Sequence, residues 1–316
     1  MIKFLRYALW LPLLLVPRLL LAEPAFYELN KEGQTLWLMG SIHAGTESLY
    51  PLPAVITSRW QQSRQLVVEV DLNSVPPDEI ARMGTLTRLP SGQTLKSVLD
   101  PALYQRTQEA AATWQVPMQA LDQLKPWSVA LTLTQAAMVR SGFSPDLGVD
   151  SHFLASAHER QLPVVGLEGF SEQLGYLASV EPYQSAMLQS TLDELTDFRQ
   201  SFNEVMNAWQ NNDSKRLAAL LKEELGPPEL QTWLEQTLLI ERNQRWLQKI
   251  PALPDRSFVV VGALHLYGPH GLLGSLRGAG IVKATFMQDI PEYRHIRIRI
   301  RDAILTAREA ETIMDF

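Results

Sequence analysis

The chain reads as an α/β protein: a mixed, largely parallel sheet flanked by helices, with a helical insertion. Three observations predict this. The phrase Gly-x-x-His closes two apolar runs, "TLWLMGSIH" ending at His43 and "FVVVGALH" ending at His265. Each is followed by a loop, a helix-like stretch and another apolar strand, "QLVVEVDL" in the first case and "IVKATF" in the second. Two strand–Gly-x-x-His–helix–strand units thus frame the chain, and they suggest corresponding strand ends in one sheet. Between them, residues 171–250 are almost wholly helical in pattern and rich in Gln, Glu and Asn, as an inserted or capping region would be.

In chain order, "AFYEL" and "QTLWLMGSIH" form a β-hairpin around a turn at residues 30–33. A helix follows near 54–64, then a strand over 65–72. Residues 74–92, broken by Pro and Gly, read as loop with short helical pieces. Asp100-Pro101 opens a helix, with Asp as cap and Pro in the first turn. "KPWSVALTLTQAAM" is a largely buried helix, and "GVDSHFLASAHERQ" is another, with Asp150 most simply its cap. "LPVVGLEG" is a strand. "SFVVVG", "GLLGSLRGAG" and "IVKATF" are strand, helix and strand. In the tail, "RHIRIRIR" alternates Ile296, Ile298 and Ile300 with Arg297, Arg299 and Arg301, a strand with one basic face. That face is most simply the charged guard of a sheet edge.

The 316 residues, 46% hydrophobic, suffice for one large domain or a domain with an insertion. A net charge of −6 gives no general attraction to nucleic acid, which is excluded as a partner class. The absence of cysteine excludes disulfides, iron–sulfur clusters and thiolate metal sites. A metal here needs His, Asp, Glu or water. Residues 1–22 have the basic start (Lys3, Arg6), the apolar stretch and the terminal Ala22 of a secretory signal. This predicts a periplasmic or secreted bacterial protein, with membrane contact only if that segment stays uncleaved.

Several strands end in residues foreign to a buried run: His43, Glu69 with Asp71, Glu168 and His265. In open α/β sheets, ligands bind beyond the carboxyl ends of the strands. If these strands are parallel neighbours, two His and two Glu meet in one crevice. Gly40 and Gly262 allow a ligand or backbone to approach closely there. In "LEQTLLIERNQRWLQKI", helical spacing turns Arg242 and Asn243 toward Leu238, Leu239 and Trp246. An inward Arg needs a carboxylate, and Glu69 or Glu168 would serve. Walker, dinucleotide-binding, His-Glu-x-x-His and nucleophile-elbow motifs are absent.

These pieces in this order, "GSIH", "VVEVD", "KPW", "GVD", "GLEG", "ERN" and "GALH", resemble the TraB/GumN family, which includes bacterial envelope proteins and the animal Tiki proteins. The resemblance runs from about residue 26 to 286. With the signal-like start and the basic tail read above, the chain divides into a signal segment (1–22), an α/β domain (23–286, with 171–250 as insertion or cap) and a basic strand and C-terminal tail (287–316). The resemblance implies a fold related to erythromycin-esterase-like and haem-associated ChaN-like proteins. It also implies a metal-dependent protease chemistry, as described for the animal members. His43, Glu69, Glu168 and His265 would form the centre, Arg242 and Asn243 match the family's "RN", and Asp150 matches its "G-[IV]-D".

The expected function is a metal-dependent hydrolase of the cell envelope, a peptidase first. His43, His265 and one Glu would bind Zn²⁺, Mn²⁺ or Co²⁺, and the other Glu would act as base; the residues leave open which is which. Catalytic roles fall to Glu69, Glu168, Arg242 and Asn243, and ligand contacts to Gly40, Gly262 and Asp150. The rival from another class is a non-enzymatic envelope module binding haem or another small ligand through His43 or His265. A third is a partner-binding protein using residues 171–250.

Overall fold

A computed structural model describes residues 24–31, 33–223, 226–278 and 283–286. The expected signal segment of residues 1–22 and the basic strand near residues 296–301 lie outside the described residues. Among the described residues no helix is long and apolar enough to cross a membrane.

The described strands are β1 (Phe26–Lys31), β2 (Gln34–Ser41), β3 (Gln65–Val68), β4 (Val164–Gly166), β5 (Ser257–Gly262) and β6 (Lys283–Phe286). They form one sheet in the order β4-β3-β5-β2-β1-β6. β4, β3, β5 and β2 run parallel, and β1 is antiparallel to both β2 and β6. The mixed, largely parallel sheet is the one the sequence predicts. The two Gly-x-x-His strands are direct neighbours, with Ser41 opposite Gly262 and Gly40 opposite Val261.

Side chains alternate across a strand, so a sheet covered on both faces needs apolar residues at consecutive positions. That explains the uninterrupted runs. One face carries Trp37, Met39, Leu66, Val68, Phe258 and Val260. It packs on α1 (Ala54–Gln62), α3 (Pro101–Thr113), α4 (Pro126–Arg140), α5 (Val149–Glu159) and α7 (Phe198–Gln210) through Trp60, Leu103, Leu133, Phe153 and Trp209. Trp60 sets its edge against Phe153 and Phe258, with centroids 5.1 and 5.2 Å away. The other face carries Leu36, Leu38, Val67, Val259 and Val261. Trp246 of α8 (Glu241–Lys249) and Leu272 and Leu276 of α9 (Leu272–Gly278) cover it.

Two elements differ from expectation. The regular strand expected over 65–72 ends at Val68, and beyond it Asp71 accepts from Asn73 N as the chain bends into a 3₁₀ turn, Leu72–Ser74. The stretch expected as loop with short helical pieces holds one longer helix, α2 (Pro77–Thr87), with Pro77 in its first turn and Asp78 and Glu79 beside its N-terminus. No residue of α2 is fully buried, so it writes no apolar stripe into the sequence. It packs against α6 (Phe170–Ala178), where its Glu79 accepts from Ser171 N at 2.8 Å.

Candidate functional site

The carboxyl ends of β4, β3, β5 and β2 are followed in that order by Glu168, Glu69, His265 and His43. The chain after β4 keeps following β3 past the regular ladder: Leu167 N donates to Val68 O and Glu168 N to Glu69 O, at 2.8 and 2.9 Å. The two glutamates are therefore neighbours by backbone pairing. Glu69 Oε1 accepts from Gly262 N at 2.7 Å, which ties β3 to the end of β5.

Arg242 of α8 binds both carboxylates, as its inward position predicts. Nη2 donates to Glu69 Oε2 at 2.5 Å and to Glu168 Oε1 at 2.6 Å; Nε donates to both Glu168 oxygens at 3.1 Å. Its guanidinium lies 4.8 Å from the centre of the Trp246 ring. Arginine only donates, so the 3.1 Å contact from Nη1 makes His265 Nε2 an acceptor. The ring proton is thus on Nδ1, which donates to Asn243 Oδ1 at 2.7 Å. Asn243 Nδ2 donates to the carbonyls of His265 and His270, locking the amide. Trp246 covers the imidazole at a centroid distance of 4.4 Å.

His43 is held differently. Val149 N donates to Ile42 O at 2.9 Å, and the chain at Gly148 passes so close that a Cβ there would lie 2.6 Å from His43 O. Only glycine fits. This approach brings Asp150 to His43 Nδ1, with Oδ1 3.1 Å away. Asp150 is not the cap expected from sequence: α5 begins at Val149 with Gly148 in the cap position, and Asp150 lies inside the first turn, where its carboxylate serves the histidine.

Gly262 faces the convergence. A Cβ on it would sit 3.3 Å from Glu69 Oε1, 3.4 Å from His43 Nε2 and 3.7 Å from His265 Cδ2. The bare backbone leaves that space open to a ligand. Gly40 has another role: its missing side chain makes room for Leu266, Ala25 and Ala263, and its carbonyl accepts from Trp209 Nε1.

The charges divide the two histidines. Burial is the main influence on His265 and holds its pKa down to about 4, against the pull of Glu69. Protein mass around His43 also opposes its charge. Its side chain is nevertheless 65% exposed, and the Asp150 hydrogen bond with the charges of Asp150 and Glu69 outweighs that effect, raising the pKa to about 9. Burial disfavours Glu69⁻, but His265 when protonated, Arg242, His43 and the Gly262 N–H lower its pKa to about 2. Because His265 is neutral near pH 7, the standing support comes from Arg242, His43 and the amide. Glu168, whose side chain is 2% exposed, is shifted upward, mainly by burial and despite Arg242.

Gln173 of α6 was not singled out from sequence. Its Nε2 donates to Glu168 Oε1 at 3.1 Å and to Glu69 Oε2 at 3.4 Å, bridging the pair. Its only signal is its position one turn into the helix after "GLEG". Away from the strand ends, an open groove of about 610 Å³ runs beside α7, lined by Trp114, Phe198, Asn203 and Asn207 among others. None of the strand-end residues lines it, and no charged residue in it is buried.

The donor types, imidazole and carboxylate, are those a divalent cation takes, but Arg242 Nη1 already donates to His265 Nε2. Two imidazoles present Nε2 while Nδ1 is held from behind by a carboxylate or an amide oxygen, the outer support that metal-binding histidines use. Glu69 Oε1 and the open space at Gly262 lie between them. As packed, the donors do not close: among the described residues no three His, Cys, Asp or Glu are spaced to hold a metal ion.

The TraB/PrgY/gumN family profile matches residues 25–284. Uncharacterized protein YbaP of Escherichia coli (strain K12) is 26% identical over 241 residues, covering 76% of this chain and 87% of YbaP. Uncharacterized protein YbaP of Shigella flexneri matches with the same identity and coverage.

Proposed function

Because the chain belongs to the TraB/PrgY/gumN family, we propose that it is a metal-dependent hydrolase of the bacterial cell envelope that acts on peptide bonds. One observation carries the reading: His43, Glu69 and His265 converge on the bare backbone of Gly262, with both rings oriented from behind. His43 Nε2, His265 Nε2 and Glu69 Oε1 would hold Zn²⁺, Mn²⁺ or Co²⁺. When bound, the ion supplies a Lewis acid that polarises a carbonyl and lowers the pKa of water. The peptide class rests on the resemblance to the Tiki proteins, and the envelope setting on the signal-like residues 1–22.

The geometry favours Glu69 as ligand, since Oε1 faces Gly262. Glu168 is then the proton acceptor, at Oε2, where Arg242 Nε is the bonded partner and burial favours the protonated form. Arg242 and Gln173 fix both carboxylates, and Asn243 fixes the His265 ring.

The test is metal content by elemental mass spectrometry on the mature protein, purified without a His tag, beside His43→Ala and His265→Ala. The expected result is stoichiometric metal in the wild type and loss in both variants. A wild type still empty after incubation with Zn²⁺, Mn²⁺ and Co²⁺ in turn overturns the proposal.

A further inference from the structure

The groove beside α7 stands apart from the strand ends. Its volume of about 610 Å³ lies within the range of small-molecule sites, about 300–1,000 Å³. A second hollow of about 260 Å³ continues it along the helix, and the two share Glu204 and Asn207. The helix itself is firmly seated. Met206 and Trp209 on its inner side are buried in the core, and Trp209 Nε1 donates to Gly40 O at 2.9 Å. The outer side carries Asn203, Asn207 and Asn211 at four-residue intervals, an exposed stripe of amides. All three line the groove or its continuation. A face that is merely solvated favours Lys, Glu or Gln, because Asn is a poorer helix former.

Trp114, half-buried at the C-terminal end of α3, lines the same groove. Its ring meets Phe198 edge-on at 6.4 Å, and Phe198 stacks on Phe202 at 5.7 Å, so the indole has a fixed seat. Both lining arginines are engaged within the protein. Arg199 donates through Nε and Nη2 to Ser141 O, at 3.1 and 2.8 Å, and Arg216 pairs with Glu204 at 2.6 Å. Toward the groove this leaves amides, which both donate and accept, and the exposed Asp197, which repels an anion.

We propose that this groove binds a neutral oligosaccharide, with one sugar ring stacked on Trp114 and hydroxyls paired to Asn203, Asn207 and Asp197. A sugar ring has an apolar C–H face and a rim of hydroxyls, each of them both donor and acceptor. One anchored aromatic face and a row of amides match those two properties. Asn203 to Asn211 spans about 12 Å at about 1.5 Å per residue, room for a short oligosaccharide. An extended peptide would instead need a strand edge or apolar pockets. No described strand lines the groove, and its Phe198 is already buried. The proposal is independent of the strand-end chemistry and stands or falls without it.

The experiment is an NMR titration of the mature protein, isotope-labelled in Trp and Asn, with maltotriose, cellotriose and triacetylchitotriose in turn. A capped tetra-alanine peptide serves as the comparison. At least one saccharide should shift the Trp114 indole N–H and the Asn203 and Asn207 side-chain amides along one saturating curve, and the peptide should not. Trp114→Ala should weaken binding about tenfold or more, and so should Asn203→Ala and Asn207→Ala combined. Alanine favours a helix over asparagine, so the combined Asn variant should melt at or above wild type while its affinity falls. That separation sets a contact with the ligand apart from a loss of fold. Absence of binding by all three saccharides overturns the inference. So does unchanged affinity in either folded variant, which would place the saccharide elsewhere. Shifts of the same signals by the peptide alone would make this a peptide groove and overturn it too. If Trp114→Ala does not fold, the combined Asn variant decides.

Discussion

His43 and His265 are each held through Nδ1, and the partner decides what Nε2 can do. Burial dominates at His265, where Asn243 offers only a neutral oxygen, and it outweighs the pull of Glu69, so the pKa falls to about 4. Asp150 offers His43 a carboxylate at the crevice rim, and the pKa rises to about 9. One ring is a constant lone-pair donor near neutrality, while the other carries a proton that a cation must displace. Asp150→Asn isolates the second effect, because it keeps an oxygen for Nδ1 and removes the charge. The His43 titration midpoint, followed by NMR of its ring protons, should move down from about 9 toward the ordinary imidazole value. Loss of this outer support should also weaken metal binding roughly 10–100-fold. An unmoved midpoint would assign the shift to Glu69 instead.

The same contrast recurs at the level of elements, in the two Gly-x-x-His turns. Their glycines look alike in sequence but face different surroundings. A Cβ on Gly40 would meet Leu266 Cδ1 at 2.9 Å and Ala263 Cα at 3.1 Å, so Gly40→Ala should overpack the core and destabilise the fold by about 1–3 kcal/mol. Gly262 has φ −50° and ψ 135°, which suits any L-residue, and its Cβ would reach into the crevice. Gly262→Ala should therefore change stability by less than about 1 kcal/mol while impairing metal uptake. Urea unfolding and calorimetry on both variants check this; a reversal of the two outcomes would mean that the crevice faces Gly40. The strand-end residues were legible because the parallel strands are buried on both faces, so a single His or Glu after "VVVG" or "LVV" stands out. Arg242 and Asn243 were legible for the same reason, as polar residues on an apolar helix face. Gln173, Gly148 and the true role of Asp150 were not. A Gln inside an amphipathic helix, a Gly before one and an Asp in its first turn are ordinary at those places, and only tertiary approach gives them a partner.

Across the whole molecule, the site places titratable groups at the top of an apolar sheet, and this couples folding to pH. In the unfolded chain His265 takes a proton near pH 6.5, but in the folded protein only near pH 4. Between those values the unfolded state binds more protons, so stability falls as pH drops from 6.5 to 4 and the loss is complete below 4. For a side chain 5% exposed, the difference between 6.5 and about 4 amounts to about 3 kcal/mol. Glu69 adds a second loss at lower pH, as it falls from 4.5 through about 2 and the carboxylate that holds Gly262 and Arg242 is protonated. His43 acts in the opposite direction: its contribution is present below 6.5 and disappears as pH rises through about 9, but at 65% exposure water screens most of it. Wild-type unfolding free energy, measured in urea from pH 9 to pH 3, should therefore be highest near neutrality and fall in two acid steps. His265→Gln has no proton to gain. It should begin less stable, lacking the ring that packs on Trp246. It should then lose less stability than wild type between pH 6.5 and pH 4.5, the remaining slope there coming from His152, also held below its ordinary value by burial. If the variant keeps the full wild-type slope over that window, His152 carries the upper acid step and His265 is not held neutral by its burial.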